Sequence, residues 1–261
     1  MQSSSPKVKV SIAPNHLSTG TKEAMWQVYH KFYHYDQAQF MERIKTNNYY
    51  SFYTINERIV GFTGLRINQT ELNGKKQLLI YFGQTVIDPA FRGQALIPRT
   101  AFKLCLKFWR KLLISDLYFW ADALTYKAYL VFAKTVPQMY PTWKRNTPKD
   151  IKSIVDHLGQ TYYCNNYCVQ TGTVSKDKVL VNDTTMKVPA KYREDKDICF
   201  YLQANPKYID GYGLLTITHM DRKNIGSLIQ KCLKKMFQRE PQQQEQEMPK
   251  EIVLRSTSEM S

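Results

Sequence analysis

The densest chemical signal in this 261-residue chain is the run 84–98, Gln-Thr-Val-Ile-Asp-Pro-Ala-Phe-Arg-Gly-Gln-Ala-Leu-Ile-Pro. An apolar, β-type stretch ends near Ile87, passes through a short Arg-Gly loop and enters a helical pattern. The first N–H groups of a helix have no intrahelical partner, and the helix dipole adds partial positive charge behind them. Such a junction suits phosphate oxygens, and Gly93 lets the backbone approach a ligand closely.

Within that run, Val86-Ile-Asp-Pro-Ala-Phe-Arg-Gly-Gln-Ala-Leu96 resembles the acyl-CoA-binding motif of the GNAT superfamily of N-acetyltransferases, which reads V-x-P-x-x-[RQ]-x-x-G-x-[GA]. Downstream, Thr125-Tyr-Lys-Ala-Tyr-Leu-Val-Phe-Ala-Lys134 is similar to the family's N-x-x-A-x-x-x-Y-x-K stretch, so the likeness covers about Lys22 to Val136. It implies acyl transfer from acyl-CoA, acetyl or longer, to an amine. Thr85, Val86 and Ile87 would then offer backbone groups to the pantetheine arm, and Arg92, Gly93, Gln94, Ala95, Leu96 and Ile97 would wrap the pyrophosphate. No metal is expected.

Departures from the family pattern set further expectations. The two later glycines fall on Ala95 and Ile97, and a β-branched residue does not take positive φ cheaply, so the loop is expected to be altered or helical there. The family's tyrosine falls on Phe132, which has no proton to give, and its asparagine on Thr125. Tyr129, one turn earlier, is the candidate replacement acid, and Asp122 the candidate base or amine-orienting carboxylate. The plain alternatives are a packed aromatic for Tyr129 and a helix cap for Asp122. A degenerate pyrophosphate loop in a basic chain also suits acyl carrier protein as donor, with Lys103, Lys107, Arg110 and Lys111 along one face of the following helix to meet an acidic partner.

Other candidates are weaker in chemistry. Cys164 and Cys168 sit four apart without a second pair, which reads as small buried hydrophobes more than zinc ligands. His30 and His34 share a helical face but lack a third ligand, His219 near a strand end is a conceivable base, and 205–213 reads as a loop between strands. The five cysteines are odd in number and scattered, which argues against a disulfide framework.

The periodicity supplies the elements that would position these groups. It predicts a strand over 8–12, a helix over 23–44, a hairpin of 49–55 with 59–67 and a strand over 77–87, with Asn73-Gly74 as the intervening turn. A helix over 95–113, a strand over 116–123 and a helix over 125–135 follow, with the fifth strand parallel to the fourth. Then come a helix over 148–158, weak strands over 162–173 and 178–181, strands over 198–203 and 212–219, and a helix capped by Asp221. The expected fold class is α/β, a GNAT-like central mixed, mostly antiparallel sheet flanked by helices. Residues 1–145 are expected to form the acyl-CoA-binding core, 146–239 an elaboration completing the same sheet, and 240–261 a disordered tail.

Composition bounds the function. With 37 Lys and Arg against 22 Asp and Glu the formal charge is +15, and five glutamates from Glu240 onward concentrate the positive excess in the residues before it. Apolar content of 43% and aromatic content of 13% exclude a wholly disordered chain. No apolar run approaches the roughly 18 residues of a membrane span, and the N-terminus lacks a secretory layout, so a cytoplasmic location is expected. The leading expectation is an N-acyltransferase. The alternative is a catalytically silent relative or a basic module for an acidic protein or nucleic acid, using Lys231, Lys234, Lys235 and Arg239 with Lys144, Arg145, Lys149 and Lys152. No nucleic-acid-binding signature supports that alternative, so nucleic acid is not the expected partner.

Overall fold

A computed structural model describes residues 7–33, 36–72, 74–176 and 188–237. Eight strands form one sheet in the order β1-β2-β3-β4-β5-β8-β7-β6. The first five are β1 (Lys9–Pro14), β2 (Tyr49–Ile55), β3 (Arg58–Leu72), β4 (Lys75–Ile87) and β5 (Asp116–Ala123). Short strands β6 (Tyr167–Cys168) and β7 (Thr173–Val174) and the longer β8 (Gly213–His219) complete it. β4 and β5 are parallel while every other neighbouring pair is antiparallel, as the alternation of strands and helices in the sequence requires.

Helices cover both faces. On one, α3 (Leu96–Lys107), α4 (Tyr126–Ala133), α6 (Lys196–Ala204) and α7 (Arg222–Phe237) pack on Leu78, Ile80, Phe82, Leu117 and Phe119. On the other, α1 (Thr19–Tyr29) and α2 (Gln37–Ile44) cover Tyr50, Phe52, Phe62 and Val86. There α5 (Lys149–Tyr163) covers Leu79, Tyr81, Tyr118 and Trp120. The strict alternation of β4 and β5, buried on both sides, sets this three-layer arrangement.

Several expectations are corrected. Residues 198–203 are helical, not a strand: Asp195 accepts hydrogen bonds from the N–H groups of Asp197 and Ile198, and this cap starts α6. The single helix expected over 23–44 is two, because Asp36 and Gln39 form a capping box that begins α2 afresh. α3 stops at Lys107 rather than near Leu113, so Arg110 and Lys111 lie beyond the helix and do not share its face with Lys103 and Lys107. Tyr162 and Tyr163 extend α5, and only two-residue strands follow. Segment 205–213 links α6 to β8, not two strands. Cys164 is exposed and Cys168 half-buried, whereas Cys105 and Cys232 are the buried pair, and burial pushes the Cys105 thiol up to about 12. Asn73, His34, the segment 178–181, Arg239 and the tail from 240 lie outside the described residues.

Candidate functional site

The β4–β5 ladder ends at the Tyr81–Trp120 pair, after which β5 continues only against β8. Among the described residues, the β5-side edge of β4 therefore has no strand neighbour beyond Tyr81. On its other edge β4 carries a bulge: Phe62 pairs with Val86 and Gly64 with Gly83, so Thr63 alone faces Gln84 and Thr85. Gln84 takes φ 50°, and its Oε1 accepts from Asn47 Nδ2 at 2.8 Å and from the Tyr50 hydroxyl at 3.2 Å. A non-glycine residue at positive φ is costly, and these buried bonds hold it there. The bulge turns Thr85–Ile87 out of register with the first half of the strand.

Beyond Ile87, Asp88 caps a 3-10 turn over Pro89–Phe91 by accepting from Ala90 N–H at 3.0 Å. Arg92 Nε donates to the Ile87 carbonyl at 3.0 Å, its guanidinium lies 5.3 Å from the Phe32 ring centre, and the residue stays exposed. Gly93 has φ 83°, and Ala95 sits in the left-handed region at φ 52°, ψ 36°. Ile97 is inside α3 and helical, so the altered loop keeps one of the two special turns and dispenses with the other. The left-handed conformation costs an alanine roughly 1–2 kcal/mol. No side chain caps this helix start, and Pro98 fills a first-turn position where a missing N–H is tolerated.

On the α5 face of the splay that opens where β4 and β5 cease to pair, Asp122 is nearly buried and receives three polar groups at once. The Tyr81 hydroxyl donates to it at 2.9 Å, Tyr163 donates a second hydrogen bond, and Lys176 forms an ion pair whose two side chains are 8% and 6% exposed. Burial pushes the Tyr163 phenol well above its ordinary value, which keeps it a donor. The Arg66 guanidinium stacks 4.0 Å from the Tyr81 ring and 4.5 Å from that of Tyr162. Gly83 makes this possible, since a Cβ there would lie 2.0 Å from the Tyr81 ring.

Tyr129 lies on the opposite face of the sheet from Asp122, fully buried, with its hydroxyl donating to the Pro141 carbonyl at 3.0 Å. Burial pushes its phenol up. The structure thus brings Asp122 to the splay and builds Tyr129 into the packing between α4 and α6. Thr125 caps α4 by accepting from Ala128 N–H. Phe132, with Phe82, Ile97, Phe119 and Leu228, lines a narrow apolar pocket of about 30 Å³ between α3, α4 and α7.

Of the other sequence candidates, His219 stacks on Tyr118 and its Nε2 lies 3.3 Å from Asp116, at the far end of β5 from the splay. His30 Nδ1 bonds the Trp26 carbonyl on the surface. Sequence reasoning missed Arg66, Tyr81, Tyr163 and Lys176. The only available signal was Tyr81 two residues before Gly83, an aromatic and a gap on the same face of a strand.

No family model matches the chain, and no curated protein matches it. Among solved structures it is similar to an acetyltransferase of Trypanosoma brucei, at 15% identity over 54% of this chain and 100% of that one, with a TM-score of 0.38. It is similar to the ribosomal-protein-S18-alanine N-acetyltransferase of Escherichia coli at 12% identity, over 53% of this chain and 86% of that one, with a TM-score of 0.33. A GNAT family N-acetyltransferase of Escherichia coli solved with CoA matches at 8% identity over 47% of this chain and 66% of its own length, with a TM-score of 0.34. Each likeness spans about half of this chain.

Proposed function

We propose that this protein is an N-acyltransferase that moves an acyl group from a pantetheine thioester to an amine. The observation that carries the reading is the free β4 edge running from the end of the β5 ladder into an uncapped helix start held by a left-handed Ala95. A strand edge offers amide groups at the spacing a pantetheine arm can pair with, as an added strand would. The N–H groups of the helix start and the exposed Arg92 supply the charge for a pyrophosphate. Alanine strained into a glycine-type turn supports free CoA over a carrier protein as donor, because a single phosphodiester would not require that turn.

The donor is an acyl-CoA, with acetyl-CoA the first to test. Asp122, occupied by two phenols and Lys176, serves as the carboxylate that orients the acceptor side of the splay. As the amide bond forms and the C–S bond breaks, the amine's proton passes to solvent water and the leaving CoA thiolate takes one back from it. Tyr129 supports the reaction only by packing.

A thermal-shift series with acetyl-CoA, palmitoyl-CoA and acyl carrier protein tests this, because a donor that binds only the folded state raises its Tm. A rise with a CoA thioester exceeding that with acyl carrier protein is the expected result. No shift with any thioester overturns the reading.

A further inference from the structure

We propose that the far end of α3, with the turn that follows it, docks on an anionic lipid surface. The stretch from Leu106 to Ile114 is apolar on two sides. Leu104, Cys105, Phe108 and Leu112 face the core, while Leu106, Trp109, Leu113 and Ile114 point outward at 56%, 55%, 75% and 70% exposure. Leu106, Trp109, Leu113 and Ile114 lie within nine consecutive residues, from the end of α3 through the turn over Lys111–Leu113, so they form one short exposed apolar stripe of chain. The remaining large exposed apolar residues, such as Trp143, Val169 and Ile209, are far apart in the chain. A contiguous exposed apolar stripe marks an interaction surface, whereas scattered ones do not.

Cations flank the stripe. Lys103, Lys107 and Arg110 are exposed, Lys111 is tied to Gln69 of β3, and no acidic residue occurs between Asp88 and Asp116. The sheet register brings more charge to the same end. Lys75 and Lys76 precede Gln77, which pairs with Asp116, and Arg222 and Lys223 follow His219, which pairs with Tyr118. Of the acids there, Asp116 faces His219 and Asp221 caps α7, while Glu71 on the hairpin and Asp150 of α5, near enough to act on Tyr118, are exposed.

Exposed apolar groups with cations set around them match an interface in which Trp, Leu and Ile enter the acyl boundary while Lys and Arg stay with the phosphates. Nucleic acid offers nothing for Leu113 and Ile114. The surface is also separate from the donor loop: Lys107 lies about 16 Å along α3 from Leu96, and Leu113 lies further still. Docking there leaves the β4 edge open.

The test is co-sedimentation of the full chain with phosphatidylcholine vesicles, with and without phosphatidylserine, at low and at physiological salt. Binding is expected only when phosphatidylserine is present and should weaken with salt. Leu113→Ser with Ile114→Ser should reduce partitioning at least tenfold while the melting temperature and the acetyl-CoA shift stay unchanged, since both side chains are solvent-exposed. Equal binding by that variant, or absence of binding to phosphatidylserine vesicles at low salt, would overturn the proposal.

Discussion

The two ends of the β4–α3 unit are built in opposite ways. At the splay end the key groups are fixed in place: the Asp122 carboxylate by two phenols and a lysine, the Gln84 carbonyl oxygen by Asn47 and Tyr50, and the path into α3 by a left-handed Ala95. At the other end, Trp109, Leu113 and Ile114 stand in solvent with no strained backbone among them. Groups fixed at a cost in strain and desolvation are the mark of a preorganised site, where geometry must be ready before a ligand arrives. Groups left exposed beside cations are the mark of a surface completed by something else.

That contrast can be broken by substitution. The largest effect is expected at Asp122→Ala, which removes the buried carboxylate that Tyr81, Tyr163 and Lys176 all engage. Such a loss costs about 3–5 kcal/mol, read as a fall in Tm and in urea midpoint. If stability is unchanged, the carboxylate is not the anchor of the splay. Gly83→Ala comes next: the new Cβ must displace the Tyr81 ring, so turnover should fall about 100-fold in an acetylation assay while the fold persists.

Arg92→Ala should weaken acetyl-CoA binding about tenfold by calorimetry, the loss of one charge-assisted contact, whereas Lys107→Ala, at the other end of α3, should change it less than twofold. The smallest effect is a gain. Ala95→Gly relieves the left-handed turn and should stabilise the protein by up to about 1 kcal/mol without weakening CoA, because glycine also loosens the unfolded chain. A loss of stability there would mean that the turn is not strained.

Much of the fold was legible because its signals are local. β5 falls where its apolar run predicts, Asp221 caps α7, and the hairpin of β2 and β3 turns at Asn56-Glu57, where φ is 45° and 66°. Residues 196–204 misled because Ile198, Phe200 and Leu202 alternate like a strand, and the capping carboxylate of Asp195 decides for helix. The strand-to-helix turn was legible from Arg92 and Gly93, and the loop expected to be altered or helical at the two later positions is left-handed at Ala95 and helical at Ile97, because alanine, unlike isoleucine, can be forced left-handed.

The sequence by itself determined the elements, their order and the strand-to-helix junction that suits an anion, since these follow from periodicity, caps and glycine within a few residues. Only the tertiary structure decided which side chains meet. Asp122 and Lys176 are joined across 54 positions of chain, Asp122 and Tyr129 are parted by a sheet although they lie seven residues apart, and β8 from the C-terminal part extends the first sheet. Side-chain direction in a strand changes with every residue, and pairing between distant segments depends on packing that no local pattern contains.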